Sequence, residues 1–164
     1  MSANPDLQTR VAQLDSADPR IRDLAAAEIG DLLEADVVSE AEFQSLAPLL
    51  IARAVAEKDP DVKEGLFHAI SSSAVEKLSG PINLDPIAAS LEELDVGCLE
   101  HALYILGFSG NSKYRKRLKQ FVSHADEDIR RDAADALMLL AKGPRKAKSA
   151  PGRARHSVPK KKAL

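Results

Sequence analysis

Residues 18–30 read Asp-Pro-Arg-Ile-Arg-Asp-Leu-Ala-Ala-Ala-Glu-Ile-Gly, and a stretch of this kind occurs four times in the chain. Each copy begins at an aspartate, and the copies align without gaps from Asp18, Asp59, Asp95 and Asp126. Internal repeats at intervals of a few tens of residues are typical of solenoids, in which similar units stack on one another. We number positions within each repeat from its aspartate, so that Ile21 occupies repeat position 3.

Apolar residues recur at repeat positions 3, 7 and 11. They are Ile21, Ala25 and Ile29; Val62, Leu66 and Ile70; Cys98, Ala102 and Leu106; and Ile129, Ala133 and Leu137. This spacing forms one stripe along an α-helix, and we expect the stripe to be buried. The aspartate suits the N-cap, and the proline that follows it in two copies suits the first helical position.

The spacing of the four aspartates leaves room for one further helix before each motif. The candidates are Leu7–Ala17, Glu40–Lys58, Pro86–Glu93 and Lys113–His124, and the breakers Gly80-Pro81 and Gly110-Asn111 fall between units. Each unit is therefore predicted to be a helical hairpin that buries its apolar faces only by stacking. The sequence predicts an all-α solenoid of about four hairpins over residues 1–142.

The motif Asp-Pro-x-Ile-Arg-x-x-Ala-Ala-x-x-Ile-Gly resembles the second-helix signature of HEAT repeats. The resemblance covers roughly residues 7–142; it is best in the first and fourth units and weakest in the third, which lacks the proline. It implies that the second helices line a concave face. It also implies that the basic residues at repeat position 4 pair with acidic groups of adjacent units; these residues are Arg22, Lys63 and Arg130.

Composition favours closely packed helices in a reducing compartment. Hydrophobic residues make up 45% of the 164 residues and aromatic residues only 4%, with no tryptophan. One cysteine, Cys98, leaves no internal disulfide to form. The amino-terminal residues lack the pattern of a secretory signal, and no apolar run is long enough to span a membrane. We expect a cytoplasmic protein without membrane contact.

Charge is distributed unevenly along the chain, although the net charge is only −2. Residues 1–112 carry 20 acidic and 7 basic side chains, whereas residues 113–164 carry 5 acidic and 16 basic ones. Residues 143–164 have eight Lys and Arg, no acid and little to bury, which predicts a disordered basic tail. The charges either meet partners of opposite sign, solvate the surface, or attract each other within the molecule.

If the stripe is buried, repeat positions 2, 5 and 9 of the second helices face solvent. This places an acidic surface over the first three units. The candidate partner-binding residues are Asp23, Asp61, Glu64, His68, Glu100, Tyr104, Arg131 and Asp135. Tyr104 serves either as an exposed anchor for a protein partner or as a packing residue against a neighbouring helix.

A second candidate surface is the segment 113–119, in which five of seven residues are cations. With the tail, these residues could bind phosphates, although Tyr114 is the only aromatic residue between them. The alternative is a solvated outer helix. The candidate phosphate-binding residues are Lys113, Arg115, Lys116, Arg117 and Lys119.

No catalytic or metal-binding pattern is evident. The histidines are scattered, Cys98 occupies a stripe position that predicts an inert core thiol, and no glycine-rich phosphate loop is present. Carboxylates spread over helical surfaces do not form an acid/base pair. We predict a protein that is not an enzyme and needs no cofactor.

These observations predict a monomeric protein-binding scaffold whose acidic groove takes a basic protein. Residues 103–114 are also similar to short HEAT-like proteins of bacteria, several of which are thought to serve as immunity proteins beside secreted toxins. The resemblance implies neutralisation of a basic toxin, with groove carboxylates engaging its cations. The alternative is nucleic-acid binding through the basic C-terminal third, and the tail could also act as an address or tether.

Overall fold

The computed structural model describes residues 4–77 and 82–143, without the side chains of residues 73–77. All regular structure in these ranges is helical. The α-helices are α1 (Pro5–Gln13), α2 (Pro19–Glu34), α3 (Glu40–Ala56), α4 (Pro60–Lys77), α5 (Asp85–Ser90), α6 (Val96–Phe108), α7 (Arg115–Leu118) and α8 (Glu127–Lys142). Short 3₁₀ turns occupy Leu91–Glu93, Ser112–Tyr114 and Lys119–Phe121.

The helices form four hairpins that stack in chain order. The hairpins are α1 with α2, α3 with α4, α5 with α6, and α7 with α8. The second helices α2, α4, α6 and α8 lie side by side, each packed on the next. The predicted all-α solenoid is confirmed. None of the helices within residues 4–77 and 82–143 is both long enough and apolar enough to cross a membrane.

The four aspartates begin the second helices as predicted. The side chain of Asp18 accepts a hydrogen bond from the Arg20 N–H, and Asp95 accepts one from the Cys98 N–H. Asp59 and Asp126 each accept from the two N–H groups at repeat positions 2 and 3. These bonds satisfy amide groups that the first helical turn leaves without partners.

The apolar stripe is buried except at its two ends. Most of its members are less than about one-twentieth exposed, but Ile21 is 42% exposed and Leu137 is half-buried. The prediction was therefore wrong for Ile21. Position 3 is fully buried in the later repeats, at Val62, Cys98 and Ile129, whereas α2 is the first second helix of the described stack and packs on only one other second helix, α4.

The predicted first helices are shorter or more irregular than expected. Helix α1 ends at Gln13, and the continuous helix expected over residues 113–124 is instead a short α-helix between two 3₁₀ turns. The buried residues there are Tyr114, Leu118 and Phe121, and the last interval of three suits 3₁₀ geometry. The predicted tail lies outside the described residues beyond Gly143.

Candidate partner-binding groove

A groove runs across the exposed faces of α4, α6 and α8. It encloses about 380 Å³ and is lined by His68, Ser71, Ser72, Glu100, His101, Tyr104, Asp132, Ala136 and Leu139. We call this the second-helix groove. A smaller depression of about 310 Å³ adjoins it between α4 and α6 and is lined by Asp61, Glu64, Gly65, His68 and His101. The two share both histidines, so they form one continuous surface.

The structure brings together some of the predicted partner-binding residues and leaves others at the margin. His68, Glu100 and Tyr104 line the second-helix groove, and Asp61 and Glu64 line the adjoining depression. The remaining three are exposed on the second helices outside both depressions; they are Asp23, Arg131 and Asp135. Arg131 donates to Asp128 one turn earlier, at 2.7 Å, which reduces the positive charge that it offers.

Two carboxylates of the second-helix groove, those of Glu100 and Asp132, lie close to other acidic side chains. Burial raises the pKa of Glu100, and the nearby Asp132, Asp128 and Asp126 raise it further. Burial also raises the pKa of Asp132, which Arg131 opposes and Asp128 and Asp135 reinforce. Within the part of the chain that the structure describes, no hydrogen bond or ion pair engages either carboxylate. Arg131 lowers both pKa values through its charge, but it forms no ion pair with either carboxylate within the described residues. The groove therefore offers two carboxylates to a cation from outside.

Hydrogen bonding determines which nitrogen of His101 carries a proton. The Ser71 hydroxyl donates to the His68 carbonyl oxygen at 2.8 Å and lies 3.0 Å from His101 Nδ1. Because a hydroxyl has one proton, Nδ1–H is the donor to Ser71 Oγ, and Nε2 of the neutral ring remains an acceptor. Burial lowers the pKa of His101, and the neighbouring His68 lowers it further. His101 is therefore a neutral groove residue with one free acceptor.

The aromatic and apolar parts of the groove lie beside these polar groups. Tyr104 is 37% exposed, and its ring packs on Phe108, one turn later on α6, with centroids 4.4 Å apart. Its ring thus packs within α6 and also lines the groove, and its role as an anchor for a partner stays a prediction. Ala136 and Leu139 of α8 add an apolar wall.

Sequence reasoning missed His101 and Asp132, although both occupy repeat position 6. The prediction used only positions 2, 5 and 9, which are centred on the side opposite the buried stripe. Position 6 lies at the edge of that face, where adjacent second helices meet, and its side chains contribute to both the packing and the groove. A wider solvent-facing sector would have included them.

The cationic segment is partly engaged inside the fold. Lys113 Nζ lies 2.7 Å from Asp85, and Arg117 forms two bonds to Glu92 and one to the Ala88 carbonyl oxygen. Tyr114 is 4% exposed, and its hydroxyl accepts from the Leu84 N–H and donates to Asp85. Tyr114 therefore offers no stacking surface. Of the predicted phosphate-binding residues, Lys116 and Lys119 are exposed and Arg115 is half-buried.

Cys98 is a buried thiol on the apolar stripe. The Cys98 side chain is buried, and burial together with Asp95 raises its pKa to about 12, so that the thiol stays protonated at neutral pH. Within residues 4–77 and 82–143, no group of three His, Cys, Asp or Glu side chains is placed to hold a metal ion.

Comparison with solved structures shows similarity to engineered helical-repeat proteins. An engineered protein solved by the Northeast Structural Genomics Consortium superposes with a TM-score of 0.65, at 17% identity, over 86% of this chain and 64% of its own. A designed armadillo repeat protein superposes with a TM-score of 0.62, at 18% identity, over 82% of this chain and 64% of its own. The comparisons show the fold, an all-α helical-repeat solenoid similar to armadillo-type repeats. It spans about two thirds of the length of these structures, and no family model or curated protein matches it.

Proposed function

We propose that the repeat body is a non-enzymatic protein-binding module that takes a basic segment of a partner into the second-helix groove. Helical-repeat folds of this kind are typical protein-binding scaffolds, because stacking leaves a long continuous surface free. The observation that carries the proposal is the pair Glu100 and Asp132, which line the groove and form no ion pair within the described residues. A cationic side chain is the ligand that this field favours.

Lysine or arginine fits the groove in shape as well as charge. Both have an apolar stem and a cationic head. The stem can lie along Ala136 and Leu139, and the head can reach the two carboxylates or the face of Tyr104. Arginine matches best, because its planar donors can also engage the free Nε2 acceptor of His101. We expect binding of a cation to lower the pKa of Glu100 and Asp132.

The specific role that we propose is neutralisation of a basic toxin by a HEAT-type immunity protein. A toxin that acts on nucleic acid or another polyanion holds its substrate with cations, and an acidic groove that engages those cations would block the substrate. Opposite charges would also speed association at low salt. The support for this role is the sequence resemblance together with the unpaired groove carboxylates.

The test compares two full-length variants with the same change in net charge. The groove variant combines Glu64→Gln, Glu100→Gln and Asp132→Asn. The control variant combines Asp6→Asn, Glu40→Gln and Glu93→Gln, which neutralises three exposed acids on the first helices and their termini. An arginine-rich peptide is titrated into each protein by calorimetry, and nuclease-treated extract of the native host is passed over each as bait.

We expect the wild type and the control variant to bind the peptide and to retain the same basic protein, and the groove variant to lose both. Equal binding by the two variants would contradict the proposal, since only their shared change in net charge would then matter. A bait that retains no basic protein at moderate salt would refute the neutralising role.

Nucleic-acid binding through the C-terminal third is the alternative proposal. It is supported by the exposed Lys116 and Lys119 and by the basic residues of the tail sequence. It predicts nucleic acid on untreated bait, with affinity falling steeply as salt rises and unchanged in the groove variant.

A further inference from the structure

The two ends of the described stack expose apolar side chains at repeat positions that are buried or half-buried in the other repeats. Repeat positions 8 and 12 point from one second helix towards the next. They are buried in the first three repeats, where the residues are Ala26 and Gly30, Phe67 and Ser71, and Leu103 and Gly107. In α8 the same positions hold Ala134 and Met138, and both are exposed, Met138 by 56%. We call these two residues, with Lys142, the α8 edge.

The opposite edge of α2 shows the complementary exposure. Repeat positions 3 and 6 point towards the preceding repeat. Position 3 is fully buried in the second, third and fourth repeats, but in α2 it is Ile21, which is 42% exposed. Position 6 of α2 is Leu24, which is 59% exposed. We call Ile21, Leu24 and the half-buried Leu32 the α2 edge. End repeats of solenoids normally present a polar outer face, whereas here the exposed Ile21 and Leu24 lie beside Glu28 and Asp31.

The internal interfaces share one register. A Cβ added at Gly30 would lie 3.6 Å from Ala69, and one added at Gly107 would lie 2.7 Å from Ala136. In both cases repeat position 12 of one helix meets position 10 of the next. A Cβ at Gly65 would lie 3.4 Å from Ala26, so position 8 meets position 6. Any helix that continues the stack in this register contacts α8 through its positions 6 and 10.

We propose that a second copy of this chain continues the stack, with its α2 edge packed on the α8 edge of the first copy. The internal register places Leu24 of the second copy against Ala134, which is small enough to admit it. Repeat position 10 of the second copy is Glu28, which lies between Leu24 and Leu32 and pairs with Arg10 of its own copy. Met138 of the first copy lies over this position. Lys142 lies near Asp31 of the second copy. The copies thus associate head to tail, whereas the sequence predicted a monomer.

Charge favours a second copy of the chain as the partner of the α8 edge. The first hairpin, residues 4–36, has eight acidic and three basic side chains. The last hairpin, residues 113–143, has five acidic and eight basic side chains. The first hairpin is therefore net negative and the last one net positive, although the positive excess comes from residues 113–119, where Lys113 and Arg117 are paired with Asp85 and Glu92. Opposite charges orient the two ends as they approach, and like ends repel.

A head-to-tail contact uses different surfaces on the two copies and leaves one edge free at each end. Assembly is therefore open-ended unless its geometry closes a ring. Because the two edges are different surfaces, variants blocked at one edge each can distinguish this assembly from a symmetric dimer. One variant blocks the α2 edge by Leu24→Glu, and the other blocks the α8 edge by Met138→Glu. Both residues are more than half exposed, so a charge there leaves the core of the monomer unchanged.

The experiment is sedimentation velocity on the full-length proteins over a concentration series at low salt. We expect the wild type to grow in mass with concentration and each variant alone to stay monomeric. An equimolar mixture of the two variants should form a dimer and nothing larger, because each supplies the edge that the other lacks. The control variant Leu49→Glu, changed at a 38% exposed residue of α3, should assemble like the wild type. Circular dichroism checks that every variant is folded.

Three results would overturn the proposal. They are a wild type that is monomeric at every concentration, a single-edge variant that still dimerises alone, and a variant mixture that remains monomeric. If the wild type is monomeric and Met138→Glu makes residues 144–164 more sensitive to trypsin, the α8 edge is covered by the chain's own tail instead.

Discussion

Arg22 in α2 holds Glu57 at the end of α3 through two hydrogen bonds. Its Nε donates to one carboxylate oxygen and its Nη2 to the other, each at 3.0 Å, while Nη1 donates to the Ser16 carbonyl oxygen at 2.9 Å. One side chain thus braces the turn of the first hairpin and joins it to the second. Arg130, at the same repeat position, makes only the turn contacts, to the carbonyl oxygens of His124 and Ala125.

Replacing Glu57 should destabilise the protein in a pH-dependent way. The Arg22 side chain, together with the Asp59 and Lys58 amide groups, lowers the pKa of Glu57 to about 2. Ionised Glu57 therefore stabilises the fold above its ordinary pKa of 4.5, and this stability is lost as the pH falls towards 2. We expect Glu57→Gln to lower the free energy of unfolding by about 1–3 kcal/mol at neutral pH.

Denaturant titrations at several pH values measure this effect. The deficit of Glu57→Gln relative to the wild type should shrink steadily as the pH falls below about 4.5. Glu93→Gln, at an exposed residue, is the control and should cost almost nothing. A deficit independent of pH would mean that packing rather than the ion pair accounts for it.

Two glycine-to-alanine substitutions on second helices should have opposite effects. A Cβ at Gly107 would lie 2.7 Å from the Ala136 Cα and 3.0 Å from its carbonyl oxygen, so α6 and α8 would have to separate. We expect Gly107→Ala to destabilise by about 1–3 kcal/mol. At Gly30 the nearest atoms are 3.6 Å away, and Gly30→Ala should stabilise by up to about 1 kcal/mol through helix propensity. Thermal unfolding of both proteins compares them, and equal effects would contradict the packing argument.

Removing one hydroxyl should show that Tyr114 is structural. In Tyr114→Phe the buried Leu84 N–H loses its hydrogen-bond acceptor, and we expect a cost of about 1–3 kcal/mol in unfolding free energy. Lys113→Ala removes an exposed ion pair with Asp85 and should change stability little. If Tyr114 instead stacks on bases, Tyr114→Phe would leave both stability and nucleic-acid affinity unchanged.

Neutralising Asp132 should stabilise the fold and weaken partner binding. Its raised pKa means that ionising Asp132 costs stability. This cost is absent below the ordinary pKa of 3.8, builds as the pH rises above it and is complete above the raised pKa of the folded state. We expect Asp132→Asn to raise the unfolding free energy by less than about 1 kcal/mol near neutral pH and to have no effect near about pH 3. The same variant should bind the arginine-rich peptide less tightly. Calorimetry and thermal unfolding measure both changes, and a variant that loses stability would show that Asp132 is structural.

The repeat pattern predicted the hairpins because capping and periodicity act over a few residues. Asp18, Asp59, Asp95 and Asp126 each satisfy amide groups of their own helix, so their positions alone mark four helix starts. The first helices were predicted less well. From Lys113 the chain forms a short α-helix between two 3₁₀ turns, although Tyr114, Leu118 and Phe121 are buried at the spacing of one α-helical face. The periodic pattern therefore did not distinguish a continuous helix from this interrupted one.

Sequence by itself determined the solenoid, its four second helices and most of their buried stripe, since these depend on the spacing of apolar and capping residues along one chain. Only the tertiary structure decided what each side chain meets on the next helix. It engaged Lys113 and Arg117 in ion pairs, brought His101 and Asp132 into the groove, and left Ile21 exposed at the end of the stack. These outcomes depend on residues that are distant in the chain. A periodic pattern predicts that helices will stack, but it does not predict which side chains will meet between them.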